Sequence, residues 1–412
     1  MSIEPIVWQA ALHEPLAQCD LSMTNGNRVP LMGSERPVTI ALHAVHAIGA
    51  GHLARQTALA RYLRAHQPGL APVILSSGPA VEDICGEVPA MELPSALRMH
   101  MILGKDPVFP KLAAATVQIW FAALASLRPK VVVHDTLLWP PLLRAVALLG
   151  ARQALCLRPR KDLAKYLAKS LCPLREMDLV FVPDDPGRYP DVHSRLEEAG
   201  VEAIWTGPIF RTATATCEDT RRQLGVPPST LMVVVVSGAG SGTDSQRHFL
   251  DSLAALRLVS ELRLSVVVTL GPLFTSTVSI PEHFPRALFI ARSGDLPNIL
   301  AAADLVLCRG GYGSLHEATT GDAAVLATPA ARDYDDQETR IKRFAAETTC
   351  ELADNASPHK LAAQITGALW KRSQRQATGV RSDALSEVGK RLVKLARQNA
   401  GSTSLPMHFW NV

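Results

Sequence analysis

Two stretches of this sequence each alternate short, almost wholly apolar runs with helix-periodic segments. The first opens at Val38 with "VTIALHAV", followed by "GHLARQTALARYLRAH", where alanine and leucine recur at helical spacing. "APVILSS", "PKVVVHD", "RQALCLR", "MDLVFVPDD" and "EAIWTGPIF" then read as strands, with "PPLLRAVALLGA" as a helix among them. The second stretch follows "RTATATCEDTRRQLGVPPST". Its strands are "LMVVVVSG", "LRLSVVVTLG", "ALFIAR", "DLVLCRGG" and "AAVLATPA"; its helices are "SQRHFLDSLAALRLV", "DLPNILAAA", "SLHEATTG" and "DQETRIKRFAAE". Runs this uniformly apolar suit parallel strands covered on both faces. The prediction is an α/β chain with two doubly wound, Rossmann-like domains facing a central cleft. Residues 1–36 form an extension without a clear period, 37–212 and 213–380 the two domains, and 381–412 an amphipathic helix and tail.

Composition narrows the function classes. A length of 412 residues suits two cores. A net charge of +4 and 5% aromatics argue against nucleic acid as a partner. The seven cysteines show no CxxC spacing, which fits a reducing cytosol and speaks against a zinc knuckle. The N-terminus lacks a basic start and a sustained apolar run, so no signal peptide is expected and the chain is read as cytoplasmic. The longest apolar run, Leu112 to Leu127, falls short of the roughly 20 residues that span a bilayer and is read as a buried helix.

The chemistry sits in the turns. In "LCRGGYGSLHE", Gly310, Gly311 and Gly313 let the backbone approach a ligand, and Ser314 opens a helix whose N-terminus favours an anion. Glu317, one turn on, suits a pair of sugar hydroxyls; Ser314 and Glu317 equally match a capping box. A second glycine-rich turn, Ser237, Gly238, Gly240, Ser241 and Gly242, also has phosphate-cradle character but lacks the Lys-Ser/Thr of a P-loop. In "HAIGAGHLARQ", Gly49 and Gly51 have no third glycine at dinucleotide spacing, Arg55 standing close to that place, so NAD is discounted. His52 stands at a helix start, as a general base or merely as a first-turn histidine. Asp135 ends "VVVHD" and would orient that imidazole, unless His134 is the inward residue or Asp135 an N-cap. Asp336 and Gln337 open a helix at the same rim and suit sugar hydroxyls; capping by Asp335 or Asp336 is the alternative.

The run from "FIARSGDLPNILAAADLVLCRGGYGSLHEATTG" to "DYDDQETR" resembles GT-B glycosyltransferases, particularly the peptidoglycan N-acetylglucosaminyltransferase (MurG-like) type. "GAGHLARQTALARYL", "LRPRKDL", "MDLVFVPDDP" and "WTGPIFR" are similar to predicted bacterial glycosyltransferases of that type, so the resemblance covers residues 38 to about 370. It implies an acceptor domain over 37–212 and a nucleotide-sugar domain over 213–380. By the same resemblance Glu317 binds the ribose, Gly310, Gly311, Gly313, Ser314 and the Ser237–Gly242 turn hold the diphosphate, and Arg211 is a cationic phosphate contact. The backbone around Ile290 to Arg292 reads the base, with uracil expected, and Asp336 and Gln337 hold the sugar. His52 and Asp135 match a base and its orienting carboxylate. The chain departs from the pattern at Asp322 and Ala323, where the family has G-x-P, and "MELPSALRMHMILGKDPVFPKL" matches no acceptor motif.

The resulting expectation is an inverting hexosyltransferase that moves a sugar from a nucleotide donor to a small-molecule or lipid-linked acceptor. With no DxD pair on a strand end, neither a metal nor another cofactor is expected; dipoles and Arg211 would neutralise the leaving diphosphate. Two alternatives stand beside it: a nucleotide-sugar hydrolase in which His52 activates water, and a non-catalytic nucleotide-sugar-binding regulator. A basic amphipathic segment carrying Arg158, Arg160, Lys161, Lys165 and Lys169 is a solvated helix face or a peripheral membrane contact.

Overall fold

The structure is a computed structural model, described over residues 37–45, 50–78, 81–104, 106–238, 243–259, 261–271, 286–290, 294–332, 334–372 and 383–398. The described residues all fall in one compact unit. The extension 1–36 lies outside the described residues, as do Gly240, Ser241 and Arg292.

The first sheet holds β1 (Val38–Ala44), β2 (Leu70–Ser76), β3 (Ala90–Glu92), β4 (Val131–Asp135), β5 (Arg152–Cys156), β6 (Leu179–Val182) and β7 (Ala203–Trp205). Its order is β3-β2-β1-β4-β5-β6-β7, all parallel. Its helices are α1 (Gly51–His66), α2 (Val81–Cys85), α3 (Ala96–Leu103), α4 (Phe109–Leu127), α5 (Pro140–Leu148), α6 (Leu163–Arg175) and α7 (Pro190–Glu198). Alternate strand residues feed opposite layers. Ile40 and Leu42 of β1 pack with Leu53, Leu59 and Leu63 of α1, whereas Ala41 joins Trp120 and Leu124 of α4 on the other face.

The second sheet runs β10-β9-β8-β11-β12-β13, again parallel. Its strands are β8 (Leu231–Val236), β9 (Leu264–Thr269), β10 (Arg286–Ile290), β11 (Leu305–Arg309), β12 (Ala324–Thr328) and β13 (Cys350–Leu352). Helices α8 (Cys217–Gln223), α9 (Thr243–Arg257), α10 (Leu296–Ala301), α11 (Tyr312–Ala318), α12 (Gln337–Glu347) and α13 (Pro358–Arg372) accompany it. Along β8, Val233 and Val235 face one apolar cluster, and Met232, Val234 and Val236 the other. The last helix, α14 (Ala384–Arg397), returns to the first sheet, where Val388 and Leu392 join the α1 layer. Gly389 is required at that contact, since a Cβ there would meet the Tyr62 ring at 2.9 Å.

One expectation is overturned. The apolar run ending at Leu127 is not a buried helix: α4 buries Thr116, Trp120 and Leu124, a single i, i+4, i+8 stripe, while Leu112, Ile119 and Phe121 are exposed. Uniform apolarity hid the stripe, because the residues on the open face are as hydrophobic as those beneath. Among the described residues, only α4 is long and apolar enough to cross a membrane by length and composition, with 22% of that stretch buried.

Candidate active site

In each sheet the chain winds outward in both directions from one pair of adjacent strands. Those switch points lie between β1 and β4, and between β8 and β11, and ligands bind beyond the C-terminal ends of such strands. At the first, β4 ends on Asp135, which is fully buried. Helix α1 starts beside it and presents His52, Arg55 and Gln56, an i, i+3, i+4 set on one face. His52 Nδ1 lies 2.8 Å from Asp135 Oδ1. Arg55 donates from Nη2 to Oδ1 at 2.6 Å and from Nε to Oδ2 at 3.0 Å. Gln56 Nε2 donates to Oδ2 at 3.0 Å, and Thr136 Oγ1 to Oδ1 at 3.1 Å.

This settles the alternatives left open at Asp135. It caps no helix, since α5 begins at Pro140 with Trp139 as its N-cap. His134 points to the opposite face, toward Gln153 at 3.2 Å, its ring 5.8 Å edge-on from that of His43. Burial opposes ionisation of Asp135, but the charges of Arg55 and then His52 outweigh it and hold the carboxyl far below its ordinary range.

At the second switch point, β8 leads into Ser237 and Gly238, and β11 into Gly310 and Gly311. Gly238 has φ +70°, a left-handed backbone that glycine adopts freely. Ser237 is fully buried and spends its hydroxyl within the fold, donating to Thr269 O at 2.9 Å and accepting from Gly271 N at 3.1 Å. Gly310 sits where a Cβ would meet Ile341 Cδ1 at 2.8 Å and Gln337 Cβ at 3.1 Å. Gly311 is the N-cap of α11, so Ser314 lies inside the helix and the capping box does not form. Ile290 ends β10 on the neighbouring flank, opposite Thr269.

Glu317 and Arg211 meet. Arg211 donates from Nε at 2.8 Å and from Nη2 at 3.1 Å to the two carboxylate oxygens, and its Nη1 reaches Gly294 O at 3.3 Å. Both side chains are at most 5% exposed. Asp336 is exposed and caps α12, accepting from Thr339 N at 3.0 Å. Gln337 is buried, accepting from Ala330 N at 2.9 Å and donating to Asp335 at 3.2 Å.

The two switch points face each other. Tyr312 of α11 lies over the Arg55 guanidinium, 5.3 Å from ring centroid to Cζ. Its hydroxyl accepts from Ile209 N at 3.2 Å and donates to Pro183 O. Beside it, Asp335 pairs with Arg340 and, at 3.5 Å, with Arg158 from the turn after β5. The basic segment around these residues is thereby divided. Arg158 and Arg160 turn inward, Arg160 forking onto Asp162 at 2.7 Å, while Lys161, Lys165 and Lys169 are exposed.

Reading the sequence missed Arg55, Gln56, Tyr312 and Arg309. Arg309 ends β11 beside the glycine turn and is 8% exposed. Its Nη2 stands 3.8 Å from the exposed Asp244, and among the described residues nothing bonds its Nε or Nη1. Burial lowers its proton affinity, in keeping with a charge that lacks a close counter-ion.

No protein-family model matches the chain, and no curated protein matches it in sequence. Solved structures do. The glycotransferase of kitacinnamycin superposes with a TM-score of 0.55 at 17% identity, over 88% of this chain and 96% of that one. A spinosyn rhamnosyltransferase, SpnG, complexed with thymidine diphosphate, gives 0.52 at 13% identity, over 87% and 96%. MurG of Acinetobacter baumannii gives 0.50 at 16% identity, over 87% and 100%. The fold is that of the GT-B glycosyltransferases.

Proposed function

We infer that the chain transfers a sugar, with inversion, from a nucleoside-diphosphate donor to an acceptor nucleophile, and that His52 is the general base. One observation carries this reading. A histidine oriented by a buried carboxylate stands at one switch point, across a contact from a glycine-rich anion turn at the other. A carboxylate accepts and cannot donate, so the bond to Asp135 places the imidazole proton on Nδ1 and leaves Nε2 to take the acceptor proton. Inversion follows from a single displacement, with the base and the leaving diphosphate on opposite sides of the anomeric carbon.

Neutralisation of the diphosphate falls to Arg309, Arg211, the N–H groups around Gly310 and Gly311, and the dipole of α11, in place of a metal. Glu317 serves the ribose once Arg211 turns from it to phosphate. The exposed Asp336 faces the sugar, Gln337 joins it once its amide leaves Ala330 or Asp335, and the backbone at Ile290 reads the base. The thymidine diphosphate bound by a protein of this fold makes thymine a candidate base beside uracil. The open apolar face of α4 favours an acceptor with a hydrophobic or lipid-linked portion.

Thermal-shift measurements with UDP, TDP and GDP test the donor, because a ligand selective for the folded chain raises the melting temperature. The nucleotide that stabilises most is then offered as its sugar conjugates, with and without acceptors. Acceptor-dependent release of the nucleoside diphosphate supports transfer. Release at the same rate without any acceptor replaces it with hydrolysis by His52-activated water, and binding without release leaves a sensor.

A further inference from the structure

The carboxylate that orients His52 is already neutralised. Asp135 receives two bonds from Arg55 and one each from His52, Gln56 and Thr136, so both of its oxygens are saturated. In a two-member histidine–aspartate pair the carboxylate charge draws a proton onto the imidazole. Here a guanidinium that is 4% exposed cancels that charge, with Nη2 only 3.4 Å from His52 Nδ1. A protonated imidazole would have a permanent cation at that distance.

We propose that Arg55 is the positioning residue of this base: its fork cancels the charge of Asp135 and fixes the carboxylate that orients His52, with Nε2 free to accept a proton. The catalytic meaning of this relation rests on the glycosyl-transfer reading; the electrostatic relation does not. Three things support it. Arg55 and His52 share one face of α1, so the helix itself fixes their spacing. The Tyr312 ring from the opposite sheet lies over the guanidinium and keeps water from screening it. Of the remaining titratable groups around the pair, three are kept uncharged near neutral pH by burial and one, Arg158, is a cation. Burial holds His43 on β1 well below its ordinary value, and Cys156 on β5 and Tyr312 on α11 well above theirs. Arg158, after β5, is the cation, and its own counter-ion is Asp335 at 3.5 Å.

Lysine in place of Arg55 keeps the charge but loses the fork, and glutamine keeps a hydrogen bond but loses the charge. The imidazole Cε1–H signal of His52, assigned by its loss in His52→Gln, is followed by NMR from about pH 4.5 to about pH 9, across the range where histidine titrates. In Arg55→Gln the protonation midpoint rises by about one pH unit or more, because Asp135 is uncompensated. In Asp135→Asn it falls below the parent's, because Arg55 remains. In Arg55→Lys it stays near the parent's, while kcat drops at unchanged KM as the imidazole loses its fixed orientation. An Arg55→Gln midpoint equal to the parent's overturns the proposal, and so does an Asp135→Asn midpoint that fails to fall. If thermal melting shows Arg55→Gln to be unfolded, the asparagine and lysine variants carry the decision. These titrations need no substrate, so failure to turn over any nucleotide sugar removes the glycosyl-transfer reading and leaves the Arg55 result standing.

Discussion

Arg211 and Glu317 close on each other through two hydrogen bonds, 2.8 and 3.1 Å, in a place that admits almost no water. On the proposed function, a cation and an anion that each suit one part of a nucleotide are held together here, and the ligand would have to separate them. Breaking such a buried pair from one side strands the other charge, at a cost of about 3–5 kcal/mol. Glu317→Ala and Arg211→Ala are therefore each expected to lower stability by that order in urea unfolding and to weaken UDP binding. The double change to methionine is expected to recover most of the stability, since apolar replacement of a buried pair is often neutral, without recovering UDP affinity by calorimetry. Recovery of both would assign the pair to folding alone.

Removing the His52 imidazole tests the base apart from the donor. His52→Ala is expected to lower turnover by about 10²- to 10⁴-fold. The UDP-induced rise in melting temperature should persist, because His52 lies at the β1–β4 switch point and not in the glycine turn after β11. Single-turnover rates alongside thermal shifts separate the two effects. Loss of the UDP shift in this variant would move His52 from the chemistry to binding.

Acid should unfold the chain early, and through histidine. His43, His134, His248 and His316 are all buried, and burial pushes His134 and His248 down to about 4 and the other two well below their ordinary value. Each is neutral when folded but takes a proton once unfolded below about pH 6.5. The unfolded state thus binds more protons, and stability falls as pH drops from about 6.5 toward 4, by about 1.4 kcal/mol per pH unit for each such proton. Asp184 runs the other way: burial raises it to about 6, so its contribution grows as pH falls through that value. Four histidines outweigh one carboxyl. Asp135 and Asp335, both held far below the usual range, lose their contributions only in stronger acid. The urea midpoint should drop between pH 7 and pH 5, and His134→Gln with His248→Gln should flatten that drop.

The two-sheet plan was legible because both arrays are uniformly apolar where strands are covered on each face, and because glycine turns mark the strand ends. His52 and Asp135 were legible as chemical types, though their separation of 83 positions hides their 2.8 Å distance. Arg55 was noticed only as the residue that breaks a dinucleotide pattern. Its role appears once α1 is laid beside the tip of β4, which sequence spacing cannot do. Ser314 and Glu317 matched a capping box because the motif cannot tell that Gly311, one residue before Tyr312, already starts the helix. Strand β13, Cys350–Leu352, is too short to carry a period, and α4 carried no contrast between its two faces.

Arg309 offers the sharpest separation of folding from function. Arg309 is only 8% exposed, yet its Nε and Nη1 bond to none of the described residues, and the carboxylate beside it, on Asp244, is exposed and 3.8 Å away. A buried charge with unmade hydrogen bonds costs stability. It persists at the end of β11, beside Gly310 and Gly311, where a diphosphate would supply both the charge and the acceptor oxygens it lacks. Arg309→Met keeps the length of the apolar stem and removes the head. The variant is expected to unfold at an equal or higher urea concentration than the parent, while its UDP affinity falls at least tenfold, the equivalent of about 1.4 kcal/mol. Inorganic pyrophosphate should lose affinity in parallel, whereas uridine, which has no phosphate, should bind both forms alike. A methionine variant that is less stable and binds UDP as tightly as the parent would place Arg309 in the fold, and the search for the diphosphate cation would return to Arg211.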